Sequence, residues 1–220
     1  MNGKILKIIS FLFSLVFISS FLTILVSSEE SRFDYVKGLD GIRIKRYSGT
    51  DAEVVVPSEI DGTPVVSIGE YAFSNAGHMT SVVIPEGVVS IEQYAFYSCT
   101  ALENVALPES LRKIGDSAFS GCSSLADLRF PSGVKKIGAD ALSKCTSLVS
   151  VCLPDDLEVL SGGLFAQDSS LESIVIPGTV RNVGSNAFSE CTSLKRIEIP
   201  ASVEHIFDYA FAWCSSLKRR

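Results

Sequence analysis

Histidine is nearly missing from this chain. Only His78 and His205 occur among 220 residues, beside a single tryptophan. His205 follows Val203 and Glu204 at an outward position of its segment, so it reads as a solvated surface residue and not as a general base. There is no G-x-S-x-G elbow, no phosphate-cradling loop and no H-E-x-x-H pair. With them goes the expectation of an enzyme: no catalytic residue and no cofactor is assigned. N-x-[ST] sequons are also lacking, so the surface carries no signal for that glycosylation. Positive charge is in deficit as well. Two of the 19 basic residues and none of the 25 acidic ones lie in residues 1–28, which leaves 17 against 25 and a net charge of −8 beyond them. A nucleic-acid role is excluded on that balance, because such a protein needs a basic face to displace counterions from phosphate.

Long apolar runs are scarce too. The single one extends from Ile8 to Val26, with Lys4 and Lys7 before it and Glu29 and Glu30 after it. That is the charge order of a secretory signal peptide or of a membrane anchor with its amino end in the cytoplasm. Residues 1–28 are therefore set aside as signal peptide or anchor, membrane contact is confined to residues 8–26 if they are retained, and the remainder is expected to be secreted or on the cell surface.

What the sequence has in abundance is repetition. Seven of the eight prolines are Pro57, Pro85, Pro108, Pro131, Pro154, Pro177 and Pro200: one step of 28 and then five of 23. The five extra residues of the first unit sit in EIDGTPVV. A small-then-large pair recurs at the same pitch, including Ala72-Phe73, Ala95-Phe96, Ala118-Phe119, Ala141-Leu142 and Ala187-Phe188. The consensus reads L-x-x-[IV]-x-[IL]-P-x-x-[VL]-x-x-I-G-x-x-A-F-x-x-C-x-S. The apolar residues before each proline alternate, as a half-buried strand requires. Proline then ends the ladder, since it lacks an amide hydrogen. V-x-x-I returns along a second wall, and A-F-x-x-C is expected to form a tight helical or 3₁₀ turn that drops Phe into the interior. One unit cannot bury these faces alone, so the units must stack, about 4.8 Å apart, into a solenoid. The glycine after Ile is replaced by Glu92, Ser161 and Phe207, so the site is read as preferring glycine without requiring a positive φ.

The string IPEGVVSIEQYAFYSCTALENVALP, the opening VVVPSEIDGTPVVSIGEYAF and the 23-residue step resemble the BspA-like leucine-rich repeats over residues 51–217. The resemblance implies a β-rich, right-handed repeat solenoid of short strands, in seven units. It also implies surface or secreted proteins that bind other proteins in adhesion, and brings no catalytic residues. Ahead of the array, FDYVKGLDGIRIKRY within residues 29–50 alternates about Asp40-Gly41 and is expected to cap the first coil as a hairpin. Residues 218–220 read as an unfinished last repeat.

Five of six cysteines share one row, three after the Phe: Cys99, Cys122, Cys145, Cys191 and Cys214, with Ala76 and Asp168 completing it. A straight row cannot converge on zinc; neighbouring rungs lie within reach of a disulfide in an oxidising compartment, but Ala76 in the same row favours unpaired buried thiols. Asp168 requires either solvent or backbone donors. Cys152 belongs to a different, outward row.

Binding residues are those that vary while pointing outward. On the strand before each proline these include Asn104, Asp127, Arg129, Cys152, Val175, Arg196 and Glu198, a mixed face suited to a protein ligand. Arg112, Lys113, Lys135 and Lys136 form a basic patch on the second wall that an anionic glycan or acidic protein could meet. The alternative function is a structural subunit stacking through its uncapped C-terminal end.

Overall fold

The computed structural model describes residues 32–218. The expectations for residues 1–28, the first residues of the cap and residues 219–220 lie outside the described residues. Each of the six prolines from Pro85 to Pro200 acts as a corner. It closes a three-residue strand and its carbonyl accepts the amide three residues on, as from Leu111 to Pro108 at 3.1 Å and from Val134 to Pro131 at 3.1 Å. The strand before the corner recurs as Glu53–Val55, Ser81–Val83, Asn104–Ala106, Asp127–Arg129, Ser150–Cys152, Ser173–Val175 and Arg196–Glu198. The strand after it recurs as Thr63–Ile68, Ser90–Ile91, Lys113–Ile114, Lys136–Ile137, Val159–Leu160, Asn182–Val183 and His205–Ile206. Every pairing between coils is parallel and joins equivalent positions, Val54 to Val82 to Val105 and Ile68 to Ile91 to Ile114. The result is a β-solenoid of about seven turns.

Its interior is one continuous column. Met79, Leu102, Leu125, Leu148, Leu171 and Leu194 are fully buried, and so are Phe73, Phe96, Phe119, Phe165 and Phe188. Neighbouring rings stack face to face, Phe73 on Phe96 at 4.9 Å, Phe96 on Phe119 at 5.0 Å and Phe165 on Phe188 at 5.3 Å. Each such ring contributes roughly 2–3 kcal/mol relative to an exposed one. Leu142 takes the ring's place in the fourth coil and is equally buried.

The A-F-x-x-C segment is not helical. The bonds of a tight turn are present, Ser74 N–H to Tyr71 O at 3.1 Å and Ala76 N–H to Phe73 O at 3.1 Å. However, Tyr71 and Asn75 both lie in the left-handed region, at φ of 55° and 60°. The same two positions are left-handed in every coil, through to Tyr209 and Trp213. A tyrosine or tryptophan there is strained. The compensation is a third hydrogen-bond ladder: with these flips, alternate amides point along the axis, so that Phe73 donates to Ala95 O at 2.7 Å and Asn75 to Tyr97 O at 2.7 Å.

The glycine after Ile has a different cause from backbone sign. Gly69, Gly115, Gly138 and Gly184 are not among the positive-φ residues, but a Cβ on any of them would strike backbone of the preceding coil. Where Ser161 stands in this row, its amide does not take up the bond that Gly138 makes to Ile114 O (2.9 Å). Its hydroxyl donates to the Ile137 carbonyl instead, at 2.5 Å.

At the N-terminal end, Phe33–Lys37 and Ile42–Tyr47 form an antiparallel hairpin, and the second strand runs parallel to Thr63–Ile68. Phe33 and Tyr47 cover Phe73, with Tyr47 stacked at 5.3 Å. The loop spans Gly38 to Gly41, closed by Gly38 N–H to Gly41 O at 2.9 Å, and is not the two-residue turn anticipated at Asp40-Gly41. That turn occurs at Asp61-Gly62, both with positive φ, joining Glu59–Ile60 to Thr63–Ile68.

Candidate functional site

The strands before the prolines turn every second side chain outward, because the residue between is held in the core. Two parallel rows result. One carries Glu53, Ser81, Asn104, Asp127, Ser150, Ser173 and Arg196; the other Val55, Val83, Ala106, Arg129, Cys152, Val175 and Glu198. The candidate residues thus divide: Asn104, Asp127 and Arg196 lie in the polar row, and Arg129, Cys152, Val175 and Glu198 in the row beside it. All seven are exposed. Arg129 pairs in register with Cys152, and Val175 with Glu198. Val55, outside the residues expected from the sequence, belongs here too: it is 68% exposed and in register with Val83, which is followed by Ala106. VVVP in the first unit was the available signal. The second row thus holds an apolar run of Val55, Val83 and Ala106, then Arg129 and Cys152, with Val175, 83% exposed, set between Cys152 and Glu198.

The basic row behaves differently from its sequence. Lys113 and Lys136 are in-register neighbours on paired strands, and Lys135 donates its amide to Arg112 O at 3.0 Å, so all four residues share two adjacent rungs. Arg112, however, folds back over the turn, its Nη1 donating to the carbonyls of Glu109 at 2.7 Å and Leu111 at 2.8 Å. Lys113, Lys135 and Lys136 remain exposed, without an ion pair among the described residues.

The cysteine row is chemically quiet. All six cysteines are free, and each of the five in the row donates its thiol to the carbonyl 26 residues earlier, for example Cys99 to Phe73 at 3.0 Å and Cys122 to Phe96 at 3.2 Å. Burial pushes the Cys145 and Cys191 thiols up, which keeps them protonated and unreactive. Asp168 is the exception. It is fully buried, Oδ1 accepts the Cys145 amide at 2.8 Å, and Oδ2 has no partner. Of the two expectations for it, the backbone donor is met and contact with solvent is not. Burial holds its carboxyl well above the ordinary range, against a small opposing effect of the Cys145 amide.

No group of three or more His, Cys, Asp or Glu side chains is placed to hold a metal among the described residues. His205 is exposed. Tyr71, Tyr94 and Tyr97 cluster at the turn corner, Tyr71 stacked on Tyr94 at 4.8 Å and Tyr97 edge-on at 5.7 Å, an arrangement the sequence reading missed because only the 23-residue pitch brings Tyr71 and Tyr94 together.

A stack of parallel coils with a fixed core and a variable outer sheet defines the molecule as a leucine-rich-repeat solenoid. The profile of the BspA type leucine rich repeat region matches residues 66–187 and 159–219, in six copies. The chain belongs to that family. It is similar to a leucine-rich-repeat protein of T. pallidum, at 37% identity and a TM-score of 0.82, covering 86% of this chain and 89% of that one. A Bacteroides ovatus leucine-rich-repeat protein is 28% identical with a TM-score of 0.58, covering 80% and 54%. A leucine rich cell surface protein of Faecalibacterium prausnitzii is 29% identical, also at 0.58, covering 76% and 52%. Among curated proteins no match is found. Repeats of this family generally mediate protein–protein interaction, and such solenoids are typically non-enzymatic binding scaffolds.

Proposed function

We propose that the protein is an extracellular, surface-displayed or secreted module that captures protein ligands on the sheet formed by the strands before the prolines, in adhesion to other cells or matrix. The observation that carries this reading is the exposed valines Val55, Val83 and Val175 beside a polar row, on a wall whose backbone is fixed by the stacked coils. Apolar groups rimmed by polar ones on a rigid surface are the makings of an interface, and little ordering entropy is lost when they bind. Surface display is supported by the charge order around residues 8–26 and by the likeness to the leucine rich cell surface protein of F. prausnitzii. The test is binding of the full chain to immobilised extracellular-matrix proteins and to intact cells, with Val83→Asp/Val175→Asp as variant and Asn182→Asp, on the other sheet, as control. A loss of about tenfold or more in the double variant alone is expected for residues at the centre of an interface. Capture that is absent, or unaffected by the double variant, refutes the reading.

A second reading rests on the last coil. Phe207, Tyr209 and Trp213 are more than half exposed, and the amides of Tyr209, Phe211 and Trp213, whose equivalents donate to a following coil, have no backbone acceptor among the described residues. A further coil stacked on this face, of this chain or of a second molecule, would satisfy them. Mass measured across a concentration series decides: a monomer throughout eliminates assembly.

A further inference from the structure

The second wall of the solenoid carries a site that the strand-face reading leaves unused. Lys113 and Lys136 stand one rung apart, about 4.8 Å, on paired strands. Like charges on side chains rooted one rung apart repel unless an anion meets them. Beside them opens a cleft of about 440 Å³, within the range of small-ligand sites. Its opposite wall is acidic, with Glu70, Glu92 and Asp116. Each of these carboxylates is held by the protein. Glu92 pairs with Arg43 at 2.8 Å, Glu70 Oε1 accepts the Gln93 side-chain amide at 2.6 Å, and Asp116 Oδ1 accepts the Ala139 amide at 3.0 Å. Glu92 also accepts the Ser67 hydroxyl at 3.1 Å and the Glu70 amide at 3.2 Å and is thereby saturated, whereas Glu70 and Asp116, with about four lone-pair sites each, retain acceptor capacity.

This division of labour selects the ligand. A plain polyanion would satisfy the lysines and face three carboxylates. A neutral sugar would satisfy the carboxylates and leave the lysines unmet. A molecule with an acid group and several hydroxyls satisfies both walls. We propose that the cleft between Lys113 and Lys136 on one side and Glu70 and Asp116 on the other binds an acidic saccharide, with its acid group on the two ammonium groups and its hydroxyls donating to the carboxylates.

Calorimetric titration of the full chain tests this, with a hyaluronan tetrasaccharide, which bears carboxylates only, and a sulfated heparin disaccharide in parallel. At least one should bind saturably, one per protein, and the pattern identifies the acid group. A neutral N-acetylglucosamine tetrasaccharide should bind about tenfold or more weakly, and Lys113→Gln/Lys136→Gln should lose a similar factor, as expected for charge-assisted bonds. Both lysines are exposed, so the variant should melt with the parent. Val83→Asp/Val175→Asp, on the other sheet, should bind the saccharide unchanged, which separates this site from the protein-binding one. No binding of either acidic saccharide overturns the proposal. So does binding that survives loss of both lysines, or displacement of the saccharide by polyglutamate or by anionic vesicles, either of which would show a general cation patch.

Discussion

Replacing Asp168 by Cys should make the protein more stable at neutral pH, by an amount that depends on pH in a defined way. Asp168 is enclosed between Cys145 and Cys191 of its row and bears no ion pair, and burial holds its carboxyl protonated well above the ordinary range. A carboxyl whose pKa is raised by folding contributes stability that is complete below its unfolded value, about 3.9, and lost as pH climbs towards the folded value. The slope in that window is about 1.4 kcal/mol per pH unit. Through that window the parent should therefore fall at this slope relative to Asp168→Cys, whose unfolded thiol stays protonated at neutral pH and below. The new thiol would stand opposite the Leu142 carbonyl, 26 residues back, where the other five make their bond. Other shifted carboxyls, such as Asp51, lowered chiefly by the Tyr47 hydroxyl, and Asp140, raised chiefly by burial, are common to both proteins and cancel in the difference. In urea, with a slope of about 2 kcal/mol/M, the gap between midpoints should widen by about 0.7 M for each pH unit of that window. Asp168→Asn, whose amide can both accept from Cys145 and donate to Leu142, should behave like the Cys variant and guards against a failure to fold. Midpoints that move in parallel across this range would mean an ionised, hydrated Asp168 and would refute the argument.

Thiol accessibility gives a second prediction: in the native protein, maleimide should modify Cys152 rapidly, the half-buried Cys214 slowly, and Cys99, Cys122, Cys145 and Cys191 only on unfolding, with Cys152→Ser abolishing the fast phase. Rapid reaction of more than one thiol contradicts the burial. Hydrogen exchange should single out Ser161, whose amide lacks the bond that Gly138 makes to Ile114 O and Gly184 to Leu160 O, as the fast-exchanging member of its row. Protection at Ser161 equal to that at Gly138 and Gly184 would contradict the hydroxyl substitution.

The core was legible because a 23-residue period samples each interior position several times. Phe96, Phe119 and Phe188 could be placed inside from their row alone, and Cys152 outside by its departure from the cysteine row. What depends on the neighbouring coil was not legible. Tyr71, Ser117, Asp140 and Asn186 share little chemistry, and only the carbonyl of the next coil explains why all four are left-handed. That Gly115 and Gly138 need no positive φ was readable from Glu92, Ser161 and Phe207 in their row; that they give clearance from the coil before them was not. Arg112 was grouped with the lysines because charge is visible in sequence, whereas the turn carbonyls that draw its guanidinium back are not. For the same reason the cleft escaped notice: Glu70, Gln93 and Asp116 come together with Lys113 and Lys136 only once four coils are stacked.

The stacking also explains how an array with local faults can serve as one platform. The ladder of strands before the prolines parts between Asn104–Ala106 and Asp127–Arg129, and again between Ser150–Cys152 and Ser173–Val175. The ladder after the prolines parts once, between Lys136–Ile137 and Val159–Leu160. These breaks never fall at the same interface. Lys113 pairs with Lys136 across the first, Val159 with Asn182 across the second, and Asp127 with Ser150 across the third. In a one-dimensional array each coil is held by its neighbours alone, so an interface that lost both ladders would be a hinge. Coils four and five come nearest to that, with Leu142 interrupting the rings, Ser161 off its amide bond and Asp168 in the thiol row. The Asp127–Arg129 pairing with Ser150–Cys152, and the Leu142 amide on Leu164 O at 3.1 Å, carry continuity across it. Arg129 and Cys152, at the centre of the proposed protein-binding face, are therefore the pair that joins the two halves, so a ligand seated there would press on the interface where the core is least regular.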